Sequence, residues 1–269
     1  MKYLIAILFF IPCLAQADIF QWIDKQGEKH FSDRPQQGAK RLKVNAGYAY
    51  YSIKKIYDGD TILLTNGQKV RFLGINTPEV EGRNKLAQAG GEEARQWLQK
   101  KLKNKKVRLE RDVEKKDKYG RLLAHVFTPD NAHLNFELVK LGLATVNIHP
   151  PNLKYMDDLL AAESEAEQKL IGIWQYQQYA AKAVESLNGQ ALRGWQRVFG
   201  TIKSVYHSRK YSYLNLTDTF SLKIQHKSSQ LFPELEGYVG SKVEARGWIN
   251  KHKKRYSMFI RHPSSIKIK

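Results

Sequence analysis

The chain has 269 residues, 42% of them hydrophobic and 26% charged, and a formal net charge of +19 at pH 7. At roughly 100–200 residues per domain, this is the make-up of a folded protein of one large domain or a few small ones, not of a disordered chain. With its long apolar run confined to the extreme N-terminus and a single cysteine, it is not a multi-span membrane protein, a collagen-like fibre or a disulfide-framework mini-protein.

Residues 1–17 read as an export signal. Lys2 gives a positive start, residues 4–14 are apolar, and Ala15-Gln16-Ala17 has the small-x-small pattern of a cleavage site. The apolar stretch falls short of the roughly 20 residues of a spanning helix, so an uncleaved anchor is the competing reading. Cleavage removes Cys13, leaves no transmembrane anchor, and puts the chain in the periplasm or outside the cell. The positive charge calls for a polyanion: nucleic acid, anionic headgroups or envelope polysaccharide. Lysine clusters at 100–106, 115–118 and 251–255 supply it. A solvated surface explains any one cluster equally well.

Residues 18–45 predict a small hairpin. Its strands are Ile19–Ile23 and Lys29–Ser32, joined through Asp24-Lys25-Gln26-Gly27. Trp22, Asp24, Gly27 and the run His30-Phe31-Ser32-Asp33-Arg34-Pro35 resemble the DUF4124 module. Residues 34–38 read as a linker.

Residues 48–174 predict strands and helices in alternation. Residues 48–57 are aromatic and β-branched. Residues 61–64 and 70–73 flank Asn66-Gly67, a hairpin signal because both turn positions tolerate positive φ. A helix follows Gly90-Gly91 over 92–102. Strands are expected at 107–110 and 122–127. Leu134, Leu138 and Leu141 have helical spacing with Gly142 as the stop, and another helix runs from about 153 to 170. Five strands with helical cover suggest a small barrel. Residues 175–190 read as a connecting helix or linker. Residues 191–269 predict five more strands and resemble, by pattern, a second OB-like β domain.

Three short motifs carry chemistry. Asp58-Gly59-Asp60-Thr61 places paired carboxylates at a Gly turn, suited to a hard cation such as Ca²⁺; an ordinary turn reads the same way. Arg71-Phe72-Leu73-Gly74-Ile75-Asn76-Thr77-Pro78-Glu79 sets a charge within an apolar strand, where it needs an anionic partner at the barrel interior or mouth. A structural ion pair would also satisfy Arg71, and Glu79 alone reads as a solvated loop acid. Asp117-Lys118-Tyr119-Gly120-Arg121 is a charged turn before a strand.

In this order the three motifs resemble the staphylococcal nuclease (thermonuclease) family. The likeness covers about residues 48–174. It continues through Leu134-Asn135, Glu137-Leu138-Val139, Gly142-Leu143-Ala144 and Gly172-Ile173-Trp174. It implies an α+β fold, a five-stranded OB-type barrel with three helices, here followed by the second small OB-like domain. It also implies metal-dependent hydrolysis of phosphodiester bonds in DNA and RNA, with no stable protein partner. By this resemblance Asp60 ligates Ca²⁺, with Thr77 offering its carbonyl and Asn76 an amide oxygen. Glu79 activates water, Arg71 and Arg121 bind the scissile phosphate, and Lys118 and Tyr119 contact a terminal phosphate.

Two departures qualify the resemblance. The family pattern has Asp where this chain has Asn76, which removes one ligand charge and predicts weaker or altered metal binding. Base-stacking tyrosines are replaced by Val146-Asn147-Ile148-His149, and His149 reads as a surface loop residue. The alternative to an enzyme is a nuclease-like barrel that holds nucleic acid without cutting it. A third reading is an envelope-attached adaptor.

Overall fold

The computed structural model describes residues 19–24, 26–32, 34–42, 48–82, 87–187 and 194–269. The expected export signal lies outside the described residues. Among those described, no helix is long and apolar enough to cross a membrane. The chain divides into two compact units, residues 1–49 and 50–269.

The first unit is a three-stranded sheet. Strands β1 (Ile19–Ile23) and β2 (Lys29–Ser32) form the expected hairpin, and β3 (Lys40–Leu42) pairs antiparallel with the other edge of β1. Residues 34–38, expected as a linker, instead turn the chain back to β3, with Gly38 at a φ of 80°.

The second unit begins with a closed barrel. Its strands are β4 (Tyr50–Ile56), β5 (Thr61–Leu64), β6 (Lys69–Phe72), then β8 (Lys106–Glu110) and β9 (Leu122–Phe127), in the order β4-β5-β6-β9-β8. Between β6 and β8 lie the two-residue β7 (Ile75–Asn76) and helix α1 (Gly91–Leu102). After β9 come α2 (Leu134–Lys140), β10 (Thr145–Val146) and α3 (Met156–Gln168). The core takes Ile62, Leu64, Val70, Phe72 and Val126 from the strands and Leu98, Leu138 and Leu159 from the helices. Strand alternation therefore puts Val70 and Phe72 inward, and Arg71 on the other face of β6. The Arg71 charge does not enter the barrel.

Of residues 175–190, expected as a connecting helix or linker, 188–190 lie outside the described residues and 175–187 are folded into the structure. β11 (Ala181–Ala183) pairs parallel with β12 (Gly194–Thr201). Tyr179 and Val184 beside it are buried. The remaining strands are β13 (Ser204–His207), β14 (Tyr211–Asn215), β15 (Phe220–Gln225), β16 (Lys242–His252), β17 (Arg255–Ile260) and β18 (Ile266–Ile268). They form one eight-stranded sheet with β11 and β12. β12 pairs with β16 and β13 with β14, so these two consecutive strands meet both ends of the run β16-β17-β15-β14. That neighbour order, including one parallel pair (β15 with β17), repeats the order of the first barrel, where β6 and β9 are parallel. The two β regions carry separate cores; the second is built on Val198, Leu214, Leu222, Ile224, Val243 and Met258.

Candidate active site

The turn at 58–61 joins β4 to β5. Asp58 Oδ1 accepts the Asp60 N–H at 3.0 Å, which closes the turn. Asp60 is buried, and three partners hold its carboxylate, leaving one acceptor position on Oδ1. Oδ1 accepts from the Thr61 hydroxyl at 2.9 Å, and Oδ2 accepts from the Thr77 N–H at 2.8 Å and from Arg71 Nη1 at 2.7 Å. Gly59 lets the turn seat against the next loop: a Cβ there would lie 2.6 Å from Thr77 Cγ2 and 2.7 Å from Ala94 Cβ. Burial and the Asp60 charge push the Asp58 carboxyl up to about 7. Asp58 and Asp60 have one guanidinium between them, and negative charge is locally in surplus.

Arg71 is held flat against this cluster, with its side chain only 14% exposed. Nη1 also reaches the Phe72 carbonyl at 3.2 Å, and Nη2 donates to Asn76 Oδ1 at 3.0 Å. Among the described residues, Nε–H and the second Nη2 N–H, the two donors of one guanidinium edge, have no partner. The Asn76 amide orientation follows from its partners. Oδ1 faces Arg71, while Nδ2 donates to the Thr77 carbonyl at 3.1 Å. β7 is itself fixed from two sides. It pairs with β10, and the buried Asn135 of α2 accepts the Val126 N–H and donates to the Leu73 carbonyl, both within 2.9 Å.

Glu79 follows Pro78 in a loop locked by reciprocal bonds. Its N–H donates to Gln88 Oε1, and the Gln88 N–H donates to its carbonyl, each at 2.9 Å. The start of α1 presses on the same carbonyl, since a Cβ on Gly91 would come within 2.5 Å of it. Arg121 enters from the turn before β9. Asp117 Oδ2 accepts from its Nε and Nη2 at 2.7 Å, while Oδ1 caps the N–H groups of Tyr119 and Arg121. Although burial acts to raise it, Arg121 and the backbone N–H groups hold the Asp117 carboxyl below the usual carboxylate range.

One open cavity of about 500 Å³ is lined by Asp60, Arg71, Asn76, Thr77, Glu79 and Arg121, with Tyr119 at its edge. Lys118 is not among its lining residues. It lines an adjoining groove of about 460 Å³ that also touches Arg71 and Arg121. Asp58 and Lys69 line the main cavity as well. Asp58 is the second carboxylate of the first motif; Lys69 was not singled out in the sequence, although it is two residues from Arg71, on the same face of β6. The groove also holds His149 and Arg261. Nothing in the sequence links Arg261 to the motifs.

The oxygens of Asp58, Asp60, Asn76 and Thr77 are a hard donor set, and two carboxylates sharing one guanidinium fit a divalent cation. The fit is weakened at two points. Asn76 Oδ1, expected as a ligand, already accepts from the Arg71 guanidinium. The Thr77 carbonyl, also expected as a ligand, already accepts the neutral Asn76 N–H.

Two guanidiniums, a carboxylate and a hard-oxygen pocket on one OB-type barrel define a phosphoester hydrolase. Residues 69–176 match the family described as staphylococcal nuclease homologue, and residues 6–49 match the domain of unknown function DUF4124. The chain is 39% identical to a thermonuclease of Staphylococcus intermedius over 160 residues, which span 58% of this chain and 89% of that protein. It is 37% identical to a thermonuclease of Staphylococcus hyicus over 133 residues, 48% of this chain and 78% of the relative. The endonuclease YncB of Bacillus subtilis is 33% identical over 156 residues, 56% of this chain and 74% of that one. The chain belongs to the staphylococcal nuclease family.

Proposed function

We propose that the protein is an exported, metal-dependent nuclease that hydrolyses phosphodiester bonds of DNA and RNA with little sequence specificity. The observation that carries this reading is the single cavity shared by Glu79, Arg71 and Arg121. A phosphodiester is an anion and repels hydroxide. The Nε–Nη2 edge of Arg71, and the Nη1–Nη2 edge of Arg121 left when Asp117 holds its other edge, offer paired donors to its non-bridging oxygens. Glu79 accepts the proton of the attacking water, and the guanidiniums hold the charge that gathers on the five-coordinate phosphorus. Asp117 keeps Arg121 in place, and Asp60 does the same for Arg71. Asp58, Asp60, Asn76 and the Thr77 carbonyl would hold the cation, and a bound cation supplies electrostatic polarisation of the phosphoryl group. Lys118, which lines the groove, binds a neighbouring phosphate. Low specificity is supported by a lining of charges and backbone, with Tyr119, 72% exposed, as its one aromatic ring. Export rests on the charged start, apolar stretch and small-x-small site of residues 1–17.

The test is degradation of plasmid and of RNA with Ca²⁺, then with chelator. Cleavage that disappears with chelator and in Glu79→Gln is the expected result, a loss of at least a hundredfold on the order of a removed general base. Binding of both polymers without cleavage by the wild-type protein would overturn the enzyme in favour of the binder.

A further inference from the structure

The C-terminal sheet presents an outward face that its own core does not explain. In β14 the residues Ser212 and Leu214 are buried, while Tyr211, Tyr213 and Asn215 face the other way. β15 alternates likewise, burying Phe220, Leu222 and Ile224 and leaving Lys223 outside. Register then aligns four side chains across neighbouring strands. Tyr206 pairs with Tyr213, Tyr213 with Lys223, and Lys223 with Phe259. At about 4.8 Å per strand this row is on the order of 14 Å long.

The rings form a platform. Tyr206 and Tyr213 have ring centroids 6.0 Å apart, and Tyr211 stands edge-on to Phe259 at 6.3 Å. The Lys223 ammonium sits 3.9 Å from the Tyr211 centroid and 5.8 Å from that of Tyr213. Tyr206 is 60% exposed. A concavity of about 670 Å³ runs over this face, bounded by Tyr206, Tyr213, Lys223 and Arg255. It contains no carboxylate among its lining residues.

The platform leads towards the catalytic cavity. Beyond Phe259, at the end of β17, the Arg261 guanidinium lies 4.6 Å from the Phe259 ring centroid. Arg261 also lines the groove shared with Arg71, Arg121 and His149. Arg71 and Arg121 in turn line the main cavity. Among the described residues, Arg261 has no hydrogen bond or ion pair to a carboxylate, and burial lowers its pKa from the usual arginine value. A half-buried guanidinium without a counter-ion, on a path to a phosphate-binding cavity, asks for an anion.

We propose that the outer face of the C-terminal sheet is a track for single-stranded nucleic acid, on which bases stack against Tyr206, Tyr211 and Tyr213 and whose backbone passes Lys223 and Arg261 into the catalytic cavity. The occupant is single-stranded because a duplex hides the base faces that aromatic rings need. Stacking on tyrosines beside cations is the chemistry of strand binding without sequence readout. The track rests on the nuclease reading for its destination and not for its binding. It makes the second β region the part of the enzyme that holds long substrates, while the barrel holds the bond to be cut.

The experiment separates the two. Affinity for a fluorescent oligothymidylate and for a duplex of equal length is measured on the full chain in chelator, at several salt concentrations. The double variant Tyr206→Ser/Tyr213→Ser is expected to weaken single-strand binding roughly tenfold, with duplex binding within twofold of wild type. Arg261→Gln is expected to weaken it several-fold and to flatten its salt dependence. With cation present, the tyrosine variant should raise KM for long single-stranded DNA and leave hydrolysis of bis(p-nitrophenyl) phosphate, too short to reach the sheet, unchanged. Photocrosslinking of an iodouracil oligonucleotide should label Tyr206 or Tyr213, a readout that needs no variant to fold. Wild-type affinity in the tyrosine variant, equal losses for single strand and duplex, or crosslinks confined to 117–121 would each overturn the track. A wild-type protein that binds the oligonucleotide through these tyrosines but cuts nothing would overturn the nuclease reading and leave the track standing.

Discussion

Two charge clusters in the second unit use the same residue types to opposite ends. At the catalytic cavity, Asp58 and Asp60 share Arg71, and Asp58 is pushed up to about 7 by burial and its neighbour. At the seam between the barrel and the C-terminal sheet, Arg246 of β16 donates to Glu163 at 2.9 Å, Glu167 at 3.0 Å and Glu244 at 2.9 Å. Arg197 of β12 reaches Glu167 and Glu244, and Lys267 and Lys269 complete the group. Burial acts to raise the Glu244 carboxyl, yet the Lys269 hydrogen bond and the two guanidiniums bring it down to about 2. Every carboxylate at the seam has at least one cation on it, and Glu163, with Arg246 alone, is still held above the usual carboxylate range by burial. The lesson is that buried charge as such marks nothing. An ion cluster that satisfies itself is a joint, and one that leaves charge over is a place for something else to bind.

That contrast breaks most sharply at Arg246. Arg246→Met removes one partner and leaves Glu163, buried beside it, without its cation. The expected loss is about 3–5 kcal/mol in denaturant unfolding, with much of it recovered in Arg246→Met/Glu163→Leu. Equal stability of the single variant and wild type would show that the seam is not a joint. At the cavity the balance runs the other way. Arg121→Ala should lower turnover a hundredfold to a thousandfold, about 2.7–4 kcal/mol of barrier, at little change in Tm. Turnover within a few fold of wild type would remove Arg121 from the reaction.

Asn76→Asp sharpens the comparison by adding charge to the cluster in which two carboxylates share one guanidinium. It also replaces the N–H that now occupies the Thr77 carbonyl. Calcium binding by calorimetry should tighten roughly tenfold, ~1.4 kcal/mol; equal or weaker binding contradicts the metal assignment.

A smaller effect comes from a third buried group, kept neutral instead of paired. Burial lowers His125 to about 4, and burial with the His125 charge lowers His133 to about 3. An unfolded histidine takes its proton near 6.5. Between those values the unfolded chain binds more protons, so this stability is complete above about pH 6.5 and is lost as pH falls through 4 and towards 3. Melting at pH 7.5 and at pH 5 should differ by about 5 °C or more, and His133→Phe should flatten that dependence. A slope unchanged in His133→Phe would assign the acid sensitivity elsewhere.

Local pattern made the barrel readable. Asn66-Gly67, the alternation through β5 and β6, and the leucine spacing of α2 each report on a neighbour a few residues away. The motif residues were readable for a similar reason, since each motif is a turn whose backbone and side chains are set within one short segment. Three things were not readable. Val70 and Phe72, not Arg71, face the core, because which side of an alternating strand is inside depends on what packs against it. Residues 34–38 and 175–187 looked like connections, but each leads into a strand whose partner lies elsewhere in the chain. Lys118 belongs to the groove and not to the cavity, although Tyr119 and Arg121 of the same turn line it.

By itself the sequence determined which residue types this protein brings to phosphate chemistry and the short turns that carry them, because spacing within a turn is fixed by covalent geometry. Only the tertiary structure decided that Glu79, Arg71 and Arg121 line one cavity, that Asn76 gives its N–H to the Thr77 carbonyl, and that Arg261 stands at the edge of the same groove. Those relations join residues up to about 190 positions apart, and they are set by how two sheets and three helices pack, which no local pattern encodes.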